Sequence, residues 1–160
     1  MSEDRAILIT GGTVVPMTGR ESGAADVLVV GNRIAEVGPG LATPPGCVRL
    51  EAHDSLVLPG FVQTHIHLVQ SLARHRAEGR LAPGYLADIA VLRCESWASE
   101  PLADPADVVV FGMGVESVRH VLVDGTVVVE NGRLLTGDAA RIRGRARAAG
   151  AAVAERLGWS

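Results

Sequence analysis

What most constrains this chain is the spacing of its turn-forming dipeptides, which cut it into short apolar runs. Gly31-Asn32 separates residues 26–30 from 33–37, and Asp124-Gly125 separates 118–123 from 126–130. Both dipeptides supply the positive-φ residues that tight hairpin turns demand. Gly11-Gly12, between residues 6–10 and 13–17, predicts another hairpin by the same reasoning. Residues 48–52 and 55–58, on either side of His53-Asp54, read as extended segments, as do 89–93 and 107–111. With 19 Gly and 8 Pro against two Phe, two Trp and one Tyr, the core must be built from Val, Leu, Ile and Ala. Short strands of both alternating and continuously apolar pattern predict a mainly β chain, a small sandwich of packed sheet layers.

The end of the chain differs in kind. Ile142, Ala146, Ala149, Val153 and Leu157 recur at the period of one helical face, with Asp138 as N-cap and Gly158 as stop. A C-terminal α-helix over residues 138–157 follows. Arg141, Arg143, Arg145 and Arg147 alternate along it, and residues two apart on a helix point to nearly opposite sides. They predict a solvated surface rather than a nucleic-acid patch, as does the formal net charge of −3. Residues 94–106, with Pro101 and Pro105, read as an irregular excursion. The start has no apolar run of signal-peptide or membrane-span length, so a cytoplasmic protein with neither nucleic-acid nor membrane partner is expected. Cys47 and Cys94 lack C-x-x-C spacing and read as small apolar thiols.

The chemically distinctive feature is His65-Ile66-His67. On a strand, side chains at i and i+2 project to one face, so two imidazoles can converge on a single cation. Two histidines do not complete a coordination sphere, and a hydrogen-bonded pair is the plainer reading. Residues 61–79, which hold the pair and end Arg-rich, admit a strand, a strand followed by a helix, or a linker. His75 reads as a surface residue, His53 as part of a turn and His120 as the head of a strand. No nucleophile-elbow spacing occurs, and Gly112-Met113-Gly114 is a lone G-x-G that a turn explains.

Context adds to the pair. PGFVQTHIHLVQSLAR, residues 59–74, resembles the segment in which amidohydrolase-superfamily enzymes enter the first strand of their barrel, where the H-x-H binds the catalytic metal. Its wording is most similar to the branch that deaminates or dechlorinates nucleobases, s-triazines and related heterocycles. The resemblance extends to ILITGGTVV and ADVLVVGNRIAEVGPGL before the motif, and to GRLAPGYLADIAVL and VRHVLVDGTVVVENGRLL after it. In that family the last two segments follow the entire barrel, and they fold with the first two into a small β-sandwich beside it. Here only a few residues separate Arg74 from Gly79, and 160 residues fall short of the roughly 250 that a (β/α)₈ barrel takes.

The resemblance therefore implies one composite sandwich domain, residues 1–160, without the barrel. Residues 1–58 give its N-terminal strands, 59–78 a bridge left from the approach to the barrel, 79–135 its C-terminal strands and 138–157 the helix. Relatives use Zn or Fe to activate a water against a C–N or C–Cl bond. That chemistry needs a fixed metal, usually with three protein ligands. His65 and His67 make an incomplete site, so no stably bound cofactor and no turnover by the isolated chain are expected. Asp88 belongs to the sandwich signature and should cap a turn or accept backbone amides rather than act as the catalytic acid. Loss of the barrel uncovers the surface that faced it and strips the partners from Phe61, Val62, Ile66, Leu68 and Val69, which predicts a homo-oligomer. A zinc shared between two chains through His65 and His67 is the alternative.

Overall fold

The structure is a computed structural model and describes residues 5–19, 21–60, 79–94 and 104–159. Among these residues, nine strands lie in one hydrogen-bonded sheet. They are β1 (Ala6–Val14), β2 (Gly23–Val30), β3 (Arg33–Gly38), β4 (Val48–Glu51), β5 (Ser55–Pro59), β6 (Ile89–Arg93), β7 (Val118–Val123), β8 (Thr126–Glu130) and β9 (Arg133–Leu134). The order is β3-β2-β1-β5-β6-β7-β8-β9, with β4 also paired to β1. The Gly31-Asn32 and Asp124-Gly125 hairpins form as the sequence predicts. A further turn at Asn131-Gly132 adds β9, a strand that the reading of the sequence missed.

Gly11-Gly12 is not a hairpin turn. β1 runs straight through it, and the register with β2 shifts between Ile9↔Val27 and Gly12↔Ala25, so one extra residue of β1 bulges. Gly11, at φ +78°, supplies the left-handed residue that such a bulge requires. Its N–H donates to Asp26 Oδ1 at 3.2 Å. β1 then pairs in parallel with β4 through residues 7–10 and with β5 through Thr13 and Val14. Residues 107–111, expected to be extended, are also different. Pro105–Asp107 forms a helical turn, α1, which continues as a wider π-type turn over Val108–Gly112. Pro105 is pre-set for a first helical position, and the turn places Val108 in an apolar cluster with Leu56, Leu58, Ala90 and Leu92. That burial overrides the strand preference of a Val-rich run.

The sheet curls around a larger core drawn from both halves of the sequence. Ile7, Val29, Leu50 and Val57 from the first half meet Ile89, Val91 and Leu122 from the second. Burying each such side chain contributes about 1.5–3 kcal/mol. β5 is buried along its whole length. Its Val57 faces the main core, while Leu56 and Leu58 face the cluster under α1. The curl is closed by the segment before β6: Ile34 N–H donates to Tyr85 C=O at 2.9 Å, and Ala87 N–H to Asn32 C=O at 2.9 Å. The result is a sandwich-like β domain, and among the described residues there is no (β/α)₈ barrel.

The helix α2 spans Ala139–Leu157. Asp138 caps it, Oδ1 accepting from Arg141 N–H at 3.0 Å. Gly158, in the left-handed region, ends it. Both caps fall where the sequence places them. None of its residues is buried, however, and the apolar face carrying Ile142, Val153 and Leu157 is exposed, as are its arginines.

Candidate functional site

The chemistry that the sequence points to leaves the sheet at the end of β5. Pairing of β5 with β6 runs from Ser55↔Arg93 to Pro59↔Ile89. Beyond it, Gly60 N–H donates to Asp88 C=O at 2.7 Å. A Cβ on Gly60 would lie 3.1 Å from that of Asp88, so the two backbones are in close contact where the segment toward His65 begins. Asp88 Oδ1 accepts the N–H of Asp124 at 2.8 Å. Its carboxylate thus holds the β7–β8 turn, in keeping with the structural role read from its motif. His65 and His67 themselves, with His75 and the apolar residues 61, 62, 66, 68 and 69, lie outside the described residues.

The other two histidines serve the fold. His53 is in a turn, as expected, and its Nε2 lies 3.1 Å from Glu51 Oε2 on the surface. His120 is 2% exposed. Its Nε2 is 3.3 Å from Glu51 C=O, while Nδ1 accepts from Asn131 N–H at 3.4 Å. This pairing fixes the neutral tautomer with the proton on Nε2, leaving no lone pair for a metal. Burial holds the ring below the usual histidine pKa. The Glu51 carbonyl and Glu130 oppose that shift, and Arg119 and Arg93 add to it. The sequence did carry a signal for this role: on β7, His120 stands two residues from Leu122, itself 1% exposed, and so shares the inward face.

A hydrolytic metal needs about three convergent protein donors. Among the described residues no group of three or more His, Cys, Asp or Glu is placed to hold one. Burial raises the thiol pKa of Cys94 and so lowers its thiolate fraction. An open cleft of about 480 Å³ lies between the end of β1 and the segment before β6. Val14, Pro16, Val37, Leu81 and Pro83 line it, with Thr18 and Glu21 its polar side chains, an apolar hollow without an acid–base pair.

No family model matches the chain. A stretch of 72 residues is 44% identical to an adenine deaminase of Deinococcus radiodurans and covers 44% of this chain and 13% of that protein. A 5-methylthioadenosine/S-adenosylhomocysteine deaminase of Symbiobacterium thermophilum is 41% identical over 78 residues, covering 45% of this chain and 17% of the relative. Among solved structures, N-isopropylammelide isopropylaminohydrolase of Burkholderia multivorans is 39% identical, with 40% of this chain and 15% of that chain covered at a TM-score of 0.32. The chain thus matches less than a fifth of the length of each of these relatives. The stretch shared with these deaminases is thus similar to part of such enzymes, in keeping with the resemblance to the amidohydrolase superfamily.

Proposed function

We propose that this chain is the small β domain of a metal-dependent amidohydrolase without its catalytic barrel, and that alone it turns over no substrate. In this reading residues 1–58 and 79–135 form one composite unit, and 59–78 bridge them where relatives insert a barrel. The observation that carries the proposal is the junction of β5 and β6. The bond from Gly60 N–H to Asp88 C=O, at 2.7 Å, brings the point where the chain leaves the sheet beside the point where it returns. Arms whose ends already meet need no barrel to hold them together, and a short connection lowers the entropy cost of closing the loop. The parent reaction is hydrolysis of a C–N or C–Cl bond on a nucleobase-like heterocycle, in keeping with the deaminase names of the relatives.

A metal in such an enzyme supplies a water acidified toward neutrality. His65 and His67 would be its first two ligands here. The test is ammonia release from adenine and cytosine, and chloride release from a chloro-s-triazine, by the purified chain with Zn²⁺ or Fe²⁺ added. Rates equal to the metal-only blank are expected. Turnover that disappears in the variant His65→Ala/His67→Ala would overturn the proposal.

A further inference from the structure

The helix α2 exposes an apolar stripe that its own chain leaves uncovered. Ile142 is 53%, Val153 51% and Leu157 54% exposed. At helical spacing, Arg145 and Arg156 border one edge of that stripe, and Arg143 and Arg147 the other. Arg141, Arg143, Arg145, Arg147 and Arg156 against Glu155 give α2 a formal charge of +4; the whole chain carries −3, so the remainder carries −7. Two such helices laid seam to seam would set arginine borders against arginine borders, which excludes α2 as its own partner. The occupant that fits is apolar and bordered by acids.

This chain displays one. Val110 is 70%, Phe111 75% and Val115 88% exposed, the most exposed large apolar group of the β domain among the described residues. Asp107 and Glu116, both exposed, flank them in sequence. Asp107 makes no capping hydrogen bond and is available for an ion pair. Because this group is exposed in the same chain whose α2 is exposed, the chain's own helix does not occupy it.

We propose that α2 docks on the segment Asp107–Glu116 of a second copy of this chain, reciprocally, in a two-fold dimer. A helix of 19 residues is about 28 Å long and about 10 Å wide, so each docking covers roughly 300 Å² on either side. The reciprocal pair then removes about 1,200 Å² from water, the lower bound of a stable interface. The contact is independent of the enzymatic ancestry argued above and of residues 61–72.

The experiment is light scattering after size exclusion at about 50 µM and low salt, where surface charges are little screened. The full chain is compared with Arg145→Glu/Arg156→Glu and with Asp107→Arg/Glu116→Arg, their folding checked by circular dichroism. The full chain should run as a dimer that weakens with salt. Each variant alone should dimerise at least about 10-fold more weakly, with acid facing acid or base facing base. Mixed together, the two variants should recover the dimer, since both dockings of the mixed pair are again complementary. A full chain that stays monomeric, a dimer indifferent to both charge reversals, or a mixture that fails to pair overturns the proposal. So does a monomer that binds vesicles of anionic lipid through α2, which would assign the helix to a membrane surface.

Discussion

Substituting Gly125 by Ala tests whether the two halves of the sequence are held as closely as the structure describes. Gly125 has φ +72°, and a Cβ there would lie 2.1 Å from Gly31 O and 2.7 Å from Asn32 Cα. Both are backbone atoms of the β2–β3 turn, so no side chain can rotate away. Ordinary C···O contact begins near 3.3 Å, so the turns must part by roughly 1 Å. Parting strains the bond that joins them, Asn32 Nδ2 to Asp124 Oδ1 at 2.9 Å, and the neighbouring bond from Gly125 N–H to Ala87 C=O at 3.1 Å. Left-handed strain on an L-residue costs about 1–2 kcal/mol, and overpacking with its backbone shift about 1–3 kcal/mol more. A total of about 2–5 kcal/mol is expected. Gly40→Ala is the control, because Gly40 has φ +65° and nothing within 4 Å of a built Cβ, so it carries the strain alone. Urea unfolding followed by far-ultraviolet circular dichroism measures both. With a slope of about 2 kcal/mol/M, the midpoint of Gly125→Ala should fall by roughly 1–2.5 M and that of Gly40→Ala by roughly 0.5–1 M. Equal losses in the two variants would refute the close approach of the turns.

Two further outcomes follow from particular contacts. Asp138→Ala removes the cap bond to Arg141 N–H and should cost α2 about 1 kcal/mol; because no residue of α2 is buried, ellipticity at 222 nm should drop while the urea midpoint of the sheet stays fixed. His120 titrates lower folded than its ordinary value because it is buried. Below a pH of about 6.5 the unfolded chain binds a proton that the folded chain refuses. Stability should therefore be full above that pH, decline as pH falls through it, and stop declining once the folded ring protonates. In urea midpoints taken from pH 8 to pH 5, His120→Asn should lack this component, and profiles that run parallel for the two proteins would contradict the assignment.

Local chemistry made much of the fold legible. Asp124-Gly125 carries two positive-φ residues and seats the hairpin between β7 and β8; Asp138 and Gly158 bound α2 at the expected residues. The errors arose where one residue type serves two geometries or where a distant contact decides. A left-handed glycine suits a bulge as well as a turn, so Gly11-Gly12 alone does not say whether the chain reverses. Val108–Phe111 has strand-forming side chains, but the pairing of Val108 with Leu56 and Leu58 decides its conformation, and that contact spans distant sequence. Asp104-Pro105 was the local signal of a helical start. The parallel pairing of β1 with β4 and β5 is likewise non-local and left no mark in the pattern. At the candidate site, the structural role of Asp88 was readable from its motif, and that of His120 from its alternation with Leu122. What the sequence could not show is that, among the described residues, no three His, Cys, Asp or Glu side chains gather where they could hold a metal.

The most direct test of the account is to divide the chain. Residues 1–60 and 79–160 are expressed as separate polypeptides, purified in denaturant, and refolded alone and together. Core residues such as Val57 and Ile89 come from opposite fragments and pair across β5 and β6, so the account predicts that each fragment alone is unfolded by circular dichroism. The mixture should form a one-to-one complex with the β signal of the intact chain and cooperative urea unfolding. Either fragment folding by itself, or a mixture no more ordered than its parts, would contradict a single composite domain.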